Sequence, residues 1–259
     1  MQKGKISEMK KLMFPLALLL GVIALGTTPS TESPALQAQN NRQQQKPPFI
    51  VCIDPGHPSE TSAGANAHGL SENRLNWQVA VRLAQRLGAM NIPYVLTKAS
   101  EKQYVTNRRR AEIANGANPY RRPTALFIRL HCDVGSGRGF TWYYPDRTGR
   151  KGSVVGPPRD VQIASRSAAH TMNSAMIPVL RGYLRTNPIK TDASTYVGGK
   201  QGGVLTGSIY SRVPTALIEM CYINQKADAQ FIASTKGQEK MAEAMAAGIA
   251  RWKQIYDRS

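Results

Sequence analysis

Short apolar segments alternate with segments of helical periodicity from residue 49 to the end of the chain. Strands are predicted at 49–53, 92–97, 124–130, 140–144 and 214–220. Helices are predicted after Ser71 and at 104–115, 160–184 and 228–256, where apolar residues recur every three or four positions. Strands separated by helices are typical of a mostly parallel sheet with helices on both faces, so residues 49–259 are predicted to be a single α/β domain.

Polar residues stand at the ends of three predicted strands. His57 follows the first strand, His131 ends the segment ALFIRLH, and Glu219 ends the segment PTALIE. Because open α/β sheets bind ligands at the carboxyl edge of their parallel strands, we expect these three side chains to meet there. Glu72 lies at the start of the first helix, which is predicted to open toward the same edge.

These four residues are a suitable set for a metal-dependent hydrolase. Two histidines and one carboxylate commonly bind catalytic zinc and leave a fourth position open, and a second carboxylate can take a proton during attack on a carbonyl. Taken singly, each residue also has a structural alternative. Either histidine could be a buried structural residue, Glu219 could pair with an arginine, and Glu72 could favour a helix dipole.

At these residues the chain resembles the zinc-dependent N-acetylmuramoyl-L-alanine amidases whose first motif reads IDPGHGG. The matching segments are VCIDPGHPS, GLSENRLNWQVAVRLAQRL, VTNRRRAEIAN, ALFIRLHCD and VPTALIEMCYINQ, in the family's order. The resemblance implies that His57, Glu72 and His131 bind Zn²⁺ and that Glu219 is the catalytic base. It further implies hydrolysis of the amide between N-acetylmuramic acid and L-alanine in peptidoglycan, for cell-wall remodelling or cell separation.

The chain departs from the family's pattern at several positions near these residues. Pro and Ser at 58–59 replace the usual glycine pair, Asp133 stands where asparagine is common, and Cys221 and Tyr222 replace glycine and phenylalanine. These changes bear on substrate fit and rate more than on the reaction class. Cys221 is expected either to line the site beside Glu219 or to be a small buried residue.

The first residues of the chain predict export. Four lysines precede an uncharged, largely apolar run at 12–26, which is the layout of a secretory signal. The run is shorter than the roughly 20 apolar residues of a spanning helix. Residues 1–38 are predicted to be a signal peptide cleaved near 26 or 38, with an uncleaved anchor as the alternative. Residues 27–48 are predicted to be a flexible linker and 49–259 the catalytic domain.

The formal net charge of +18 is expected to attract polyanions. Export to the periplasm or the extracellular space makes wall polymers and membrane head groups better partners than nucleic acid. Two rival functions are a non-catalytic basic wall-binding protein on an amidase-like fold and a zinc peptidase acting on stem peptides. The domain is expected to be a monomer without a membrane span after signal cleavage, and a protein activator is a candidate partner.

The remaining polar segments and the cysteines lead to weaker predictions. The arginines at 108–110 and 121–122 bind stem-peptide carboxylates or form a solvated basic face. The glycine-rich segment 182–203 is predicted to be a mobile loop beside the substrate groove. His68 contacts substrate or is a solvated loop residue. Three cysteines allow at most one disulfide. Cys132 and the adjacent His131 are poorly placed to form a catalytic nucleophile–base dyad, because neighbouring strand residues point to opposite faces.

Overall fold

The computed structural model describes Ser33 and residues 46–259, so the predicted signal peptide and most of the predicted linker lie outside the described residues. Residues 47–259 form one compact unit. Among the residues that are described, no helix combines the length and the apolar character needed to cross a membrane.

Ten strands and seven α-helices are defined in the described part of the chain. The strands are β1 (Val51–Pro55), β2 (Asn66–Ala67), β3 (Leu70–Ser71), β4 (Tyr94–Leu96), β5 (Leu126–Asp133), β6 (Thr141–Tyr144), β7 (Gly149–Lys151), β8 (Val154–Gly156), β9 (Lys190–Thr191) and β10 (Thr215–Tyr222). The helices are α1 (Glu72–Ala89), α2 (Asn107–Ala114), α3 (Arg159–Leu180), α4 (Tyr196–Lys200), α5 (Thr206–Tyr210), α6 (Lys226–Ala233) and α7 (Thr235–Arg258).

The central sheet has six strands in the order β4-β1-β5-β10-β6-β9. The first four are mutually parallel, β6 runs antiparallel to β10, and β9 runs parallel to β6. The prediction of a single α/β domain with a mostly parallel sheet is therefore confirmed. The parallel strands share a carboxyl edge, which places the ends of β1, β5 and β10 side by side.

Alternation along β5 separates the main core from the functional face. Leu126, Ile128 and Leu130 point into the main hydrophobic core, which also contains the apolar residues of α1, α3 and α7. Phe127 points to the opposite face and packs in a smaller cluster with the alanines of α2. Arg129 and His131 follow Phe127 on that second face, so polar residues occupy it toward the carboxyl end of the strand.

Several predicted boundaries are corrected by the structure. The strand β5 continues to Asp133, so His131 lies within it rather than at its end. Ser71 does precede α1, but its side chain makes no capping hydrogen bond. The helix predicted to reach residue 184 ends at Leu180, and Gly182 then adopts the left-handed conformation (φ 82°) that favours glycine. The helices predicted across 228–256 are observed as α6 and α7, and Ser234 between them caps α7 by accepting from the backbone N–H of Gly237 at 2.9 Å.

A β-bulge in β10 decides where Cys221 lies. The pairing of β10 with β5 shifts register between Glu219 and Tyr222, and this interrupts the alternation of side chains. Cys221 is consequently buried in the main core, with its Sγ atom 3.9 Å from that of Cys132. This is the second of the two predicted alternatives, and all three cysteines are free thiols.

Candidate metal centre

Three of the predicted site residues converge at the carboxyl edge of the sheet. His57 lies in the loop after β1, Glu72 is the first residue of α1, and His131 lies in β5. The Oε1 atom of Glu72 lies 3.1 Å from Nε2 of His57 and 3.0 Å from Nδ1 of His131. One ligand atom from each residue falls within 4.8 Å of the others, so the group can hold a metal ion.

Backbone groups orient the carboxylate of Glu72. Its Oε2 accepts from the N–H of Ala65 at 2.8 Å, and its Oε1 accepts from the N–H of Cys132 at 3.2 Å. The Nδ1 atom of His57 lies 3.2 Å from the carbonyl oxygen of Ser62. Donation from Nδ1 to that carbonyl leaves the Nε2 lone pair facing Glu72, which is the arrangement that metal-ligating histidines use.

Gly56 provides the space for the ring of His131. A Cβ atom at position 56 would lie 2.4 Å from Cε1 of that ring. The ring therefore stacks directly on the backbone of the loop after β1, and any side chain there would displace it. Within the described residues, Nε2 of His131 is buried and has no hydrogen-bond partner.

Burial and mutual contact set the protonation of this group. Burial acts to raise the pKa of Glu72, but the polar contacts with His131 and His57 outweigh it and hold the pKa below its usual range. Burial lowers the pKa of His131 to about 4, against the opposing effect of Glu72. At neutral pH this leaves an ionised carboxylate beside a neutral imidazole at His131, which are the ligand forms that a metal cation requires.

Glu219 lies beside this group on β10. It pairs in register with His131 across the two parallel strands. Its Oε2 atom is buried, with no hydrogen-bond partner among the residues that the structure describes. Burial, followed by the nearby carboxylates of Glu72 and Asp133, raises the pKa of Glu219 well above its usual value. A cation at the His57–Glu72–His131 group would oppose that rise by favouring the charged form.

A cavity of about 570 Å³ opens on this face of the sheet. His57, Glu72, His131 and Glu219 all line it. One wall is formed by residues 194–197 and 205–206, which belong in part to the glycine-rich segment predicted to border the groove. Thr195 holds this wall in place by capping α4, because its Oγ1 accepts from the N–H of Gly198 at 2.9 Å.

A second charged cluster, formed by Asp54, Arg110 and Arg129, was not predicted as a unit. Asp54 lies three residues before His57 in the sequence. Asp54 accepts from Nη1 of Arg110 at 2.5 Å through Oδ1 and from Nε of Arg129 at 3.1 Å through Oδ2. Thr97 donates its hydroxyl to Oδ1 at 2.5 Å. Burial acts to raise the pKa of Asp54, but the two guanidinium groups overcome it and hold the pKa far below its usual range.

The structure distinguishes the arginines that the sequence grouped together. Arg110 is buried and bound to Asp54, so it is not part of a surface patch. Arg108 and Arg109 are exposed and pair with Glu112 of the same helix. The ring of His68 lies 3.0 Å from the carbonyl oxygen of Asn224.

The donor set of the first group suits a metal ion. One carboxylate and two imidazoles are the ligand types that divalent zinc prefers, and their donor atoms lie close enough together to bind one ion. A mostly parallel α/β sheet, a metal-binding group at its carboxyl edge and a buried carboxylate in the same cavity are together the features of an α/β metallohydrolase.

Comparison with known proteins gives the particular family. Residues 51–251 match the Amidase_3 family, described as N-acetylmuramoyl-L-alanine amidase, and the chain belongs to that family. The predicted enzyme class is thereby confirmed: the chain is an N-acetylmuramoyl-L-alanine amidase, whose substrate is peptidoglycan.

Individual relatives agree with this assignment. The chain is 24% identical to an N-acetylmuramoyl-L-alanine amidase of Mycobacterium tuberculosis, over 90% of this chain and 96% of that protein. Among solved structures, the amidase AmiC2 of Nostoc punctiforme has a TM-score of 0.61 at 23% identity, over 80% of this chain and 97% of that chain. The amidase CwlD of Clostridioides difficile, solved in complex with the lipoprotein GerS, has a TM-score of 0.60 at 16% identity, over 80% of this chain and 99% of that one.

Proposed function

We propose that the amidase is zinc-dependent, with His57, Glu72 and His131 as the zinc ligands and Glu219 as the general base. The observation that carries this proposal is that Oε2 of Glu219 is buried without a hydrogen-bond partner among the described residues, and that Glu219 lines the same cavity as the three ligands. A buried carboxylate with no protein partner beside a metal-binding group is available to exchange a proton with a reacting molecule.

Zinc at this group would supply Lewis acidity, polarising the scissile carbonyl and stabilising the negative charge that develops on its oxygen. Glu219 takes a proton at Oε2 from the attacking water and passes it to the departing amine of L-alanine. Glu219 must be ionised to accept this proton, and a cation at the neighbouring group favours that ionised form. The backbone N–H groups of Ala65 and Cys132 keep Glu72 in place throughout.

The location of the enzyme is a proposal that rests on the N-terminal sequence. Residues 1–38 are proposed to direct export to the periplasm or the extracellular space, with residues 27–48 as a linker to a catalytic domain at 49–259. A peptidoglycan substrate requires such a location. The domain is proposed to act as a monomer, and the lipoprotein complex of CwlD supports testing for a protein activator.

The test is digestion of purified peptidoglycan by the protein, with and without a chelator, followed by mass spectrometry of the released fragments. We expect stem peptides that begin with a free L-alanine amino group, lost on chelation and restored by zinc. Cuts within the stem peptide would instead assign a zinc peptidase. Bound zinc without release would indicate a required activator, and neither zinc nor release would favour a wall-binding protein.

A further inference from the structure

Arg129 extends the site along β5. It precedes His131 by two residues, so both side chains point to the same face of the sheet, and both line the same cavity. Arg129 is only 5% exposed. The guanidinium is therefore largely shielded from bulk water, and a ligand in the cavity can contact it.

The hydrogen bonds of Arg129 leave part of its guanidinium unused. Its Nε donates to Oδ2 of Asp54 at 3.1 Å, and its Nη2 donates to Oδ1 of Asn107 at 2.8 Å. Within the described part of the chain, Nη1 has no hydrogen-bond partner. A guanidinium has five N–H donors in a fixed fork, so Arg129 can still bind an acceptor from the cavity side.

Asp54 gives Arg129 only a shared counter-charge. It is one carboxylate that pairs with two guanidiniums, those of Arg110 and Arg129. Asp192 and Glu219 are further buried carboxylates within electrostatic range of Arg129, but neither forms an ion pair with it in the described residues. Arg129 therefore keeps donor capacity toward the cavity, where an anionic ligand can accept from it.

We propose that Arg129 binds a free carboxylate of the stem peptide and thereby selects and orients the substrate, an inference that rests on the proposed function. The lactyl carboxyl group of N-acetylmuramic acid is consumed in the scissile amide, so a free carboxylate on the substrate belongs to the peptide. The peptide side therefore lies over β5 toward Arg129. The fork of a guanidinium matches a carboxylate in shape as well as in charge.

Other arginines near the cavity are less suited to this role. Arg110 also lines the cavity, but it donates to Asp54 and to the carbonyl oxygens of Val105, Pro55 and Pro58. Arg108 lies on the exposed side of α2, where Glu112 already neutralises it. The carboxylate-binding role expected for the arginines at 108–110 is thus assigned to Arg129.

The experiment compares two soluble substrates, N-acetylmuramoyl-L-alanyl-D-glutamate with both carboxylates free and its bis-carboxamide. The protein with zinc bound should cleave the acid with a kcat/KM about tenfold or more above that of the amide, because a charge-assisted hydrogen bond is lost in the amide. In Arg129→Gln this ratio should fall to about one, mainly through loss of activity on the acid. Equal rates on both substrates in the unaltered protein would overturn the inference while leaving the amidase activity established.

Two further variants keep the assignment testable if Arg129→Gln folds poorly. In Gly207→Ala, the added methyl group would lie 2.6 Å from Cζ and Nη1 of Arg129, so the guanidinium must shift and the acid-to-amide ratio should fall. Arg108→Gln is the matched control and should keep the ratio of the unaltered protein. A ratio that collapses in Arg108→Gln, or that survives in both other variants, would refute the role of Arg129. Release of stem peptides from peptidoglycan with equal cleavage of acid and amide would refute this inference alone, whereas a protein that binds no zinc and releases nothing from peptidoglycan would refute the proposed function and this inference with it.

Discussion

Two buried charged clusters lie side by side at the carboxyl ends of β1 and β5, and they suit ligands of opposite charge. The His57–Glu72–His131 group contains one carboxylate and two imidazoles, whose donor atoms lie close enough together to bind a cation. The Asp54–Arg110–Arg129 cluster contains one carboxylate and two guanidiniums, and in the described part of the chain Nη1 of Arg129 has no hydrogen-bond partner. The first group is suited to a cation, and the second to an anion.

The difference between the two clusters shows how a cavity can fix the orientation in which a ligand binds. Buried polar groups are normally satisfied by the protein itself, so a buried group without a partner points to something that binds there. Two such groups of opposite character in one cavity would fix the direction of a substrate. The scissile amide would lie at the first group and the anionic peptide at the second.

Loss of a ligand from the first group should have the largest effect. We expect His131→Ala to lose bound zinc and all detectable hydrolysis, because only two of three protein ligands remain. Metal analysis and peptidoglycan digestion measure both losses. Chelation should also lower the melting temperature of the unaltered protein, since a ligand present at 1,000 times its Kd contributes about 4 kcal/mol to stability.

The control for this variant is His170→Ala, because His170 is exposed on α3 and outside the cavity. It should retain zinc, activity and the response of the melting temperature to chelator. Stoichiometric zinc in His131→Ala would show that the metal binds elsewhere and would remove the contrast between the two clusters.

Removal of the proposed base should slow the reaction without emptying the first group. We expect Glu219→Gln to reduce kcat by about 10²- to 10⁴-fold, the usual contribution of a general acid–base group, with zinc content unchanged. Steady-state hydrolysis of a muramyl peptide and metal analysis on the same preparation test both parts. Glu243→Gln on α7 is the matched control, since Glu243 is partly exposed and, among the residues that the structure describes, forms an ion pair with Lys240 alone. Full activity in Glu219→Gln would assign the base to another residue.

Removal of the carboxylate from the Asp54–Arg110–Arg129 cluster should lower the free energy of unfolding. Asp54→Asn leaves Arg110 and Arg129 buried without their shared counter-charge, and loss of one partner from a buried pair costs about 3–5 kcal/mol. Urea unfolding should report this as a lower midpoint with little change in m-value. The pair of the exposed Arg147 and the partly exposed Asp146 is the control, because Asp146→Asn should cost no more than about 1 kcal/mol. Similar losses in the two variants would show that burial of Asp54 does not distinguish its pair.

Periodicity predicted most of the fold and the convergence of four polar residues at one sheet edge, and the family resemblance selected the three that form the first group. Apolar strands and amphipathic helices were located correctly within a few residues, and His57, His131 and Glu219 could be grouped because each follows or lies within a parallel strand near its carboxyl end. The bulge that buries Cys221 could not be predicted, because a register shift depends on the partner strand. The strand segment LFIRLHCD did carry one overlooked signal: Arg129 shares the face of His131 in an otherwise apolar run.

The partner of Arg129 required the structure. Asp54 and Arg129 are 75 positions apart and meet because β1 and β5 are neighbours with these two residues in register. Strand order and register are long-range properties that local spacing does not determine. For the same reason, the sequence grouped Arg110 with its exposed neighbours, although it is buried against a different strand.

The smallest effect is expected from the single hydroxyl that supports Asp54. Thr97→Val preserves shape but removes the hydrogen bond to Oδ1, and hydrogen bonds to charged groups contribute about 1.5–3 kcal/mol. Folding lowers the pKa of Asp54, so ionised Asp54 stabilises the folded state. This stabilisation is fully present above the unfolded pKa of about 3.9 and is lost as the pH falls from there through the folded pKa. Thr97→Val raises the folded pKa toward the unfolded one, so the variant should show a smaller loss of stability on acidification.

Thr215→Val is the matched control for this measurement. Thr215 is equally buried, but its Oγ1 has no hydrogen-bond partner in the part of the chain described. Replacing an unpartnered buried hydroxyl with a methyl group should be neutral or stabilising. Urea unfolding at pH 7 separates the two variants, because only Thr97→Val should lose stability. Its deficit should persist at pH 5 and shrink only as the pH approaches the folded pKa of Asp54, which lies far below the usual range. A deficit that is already lost between pH 7 and pH 5 would mean that the hydroxyl does not act through the charge of Asp54.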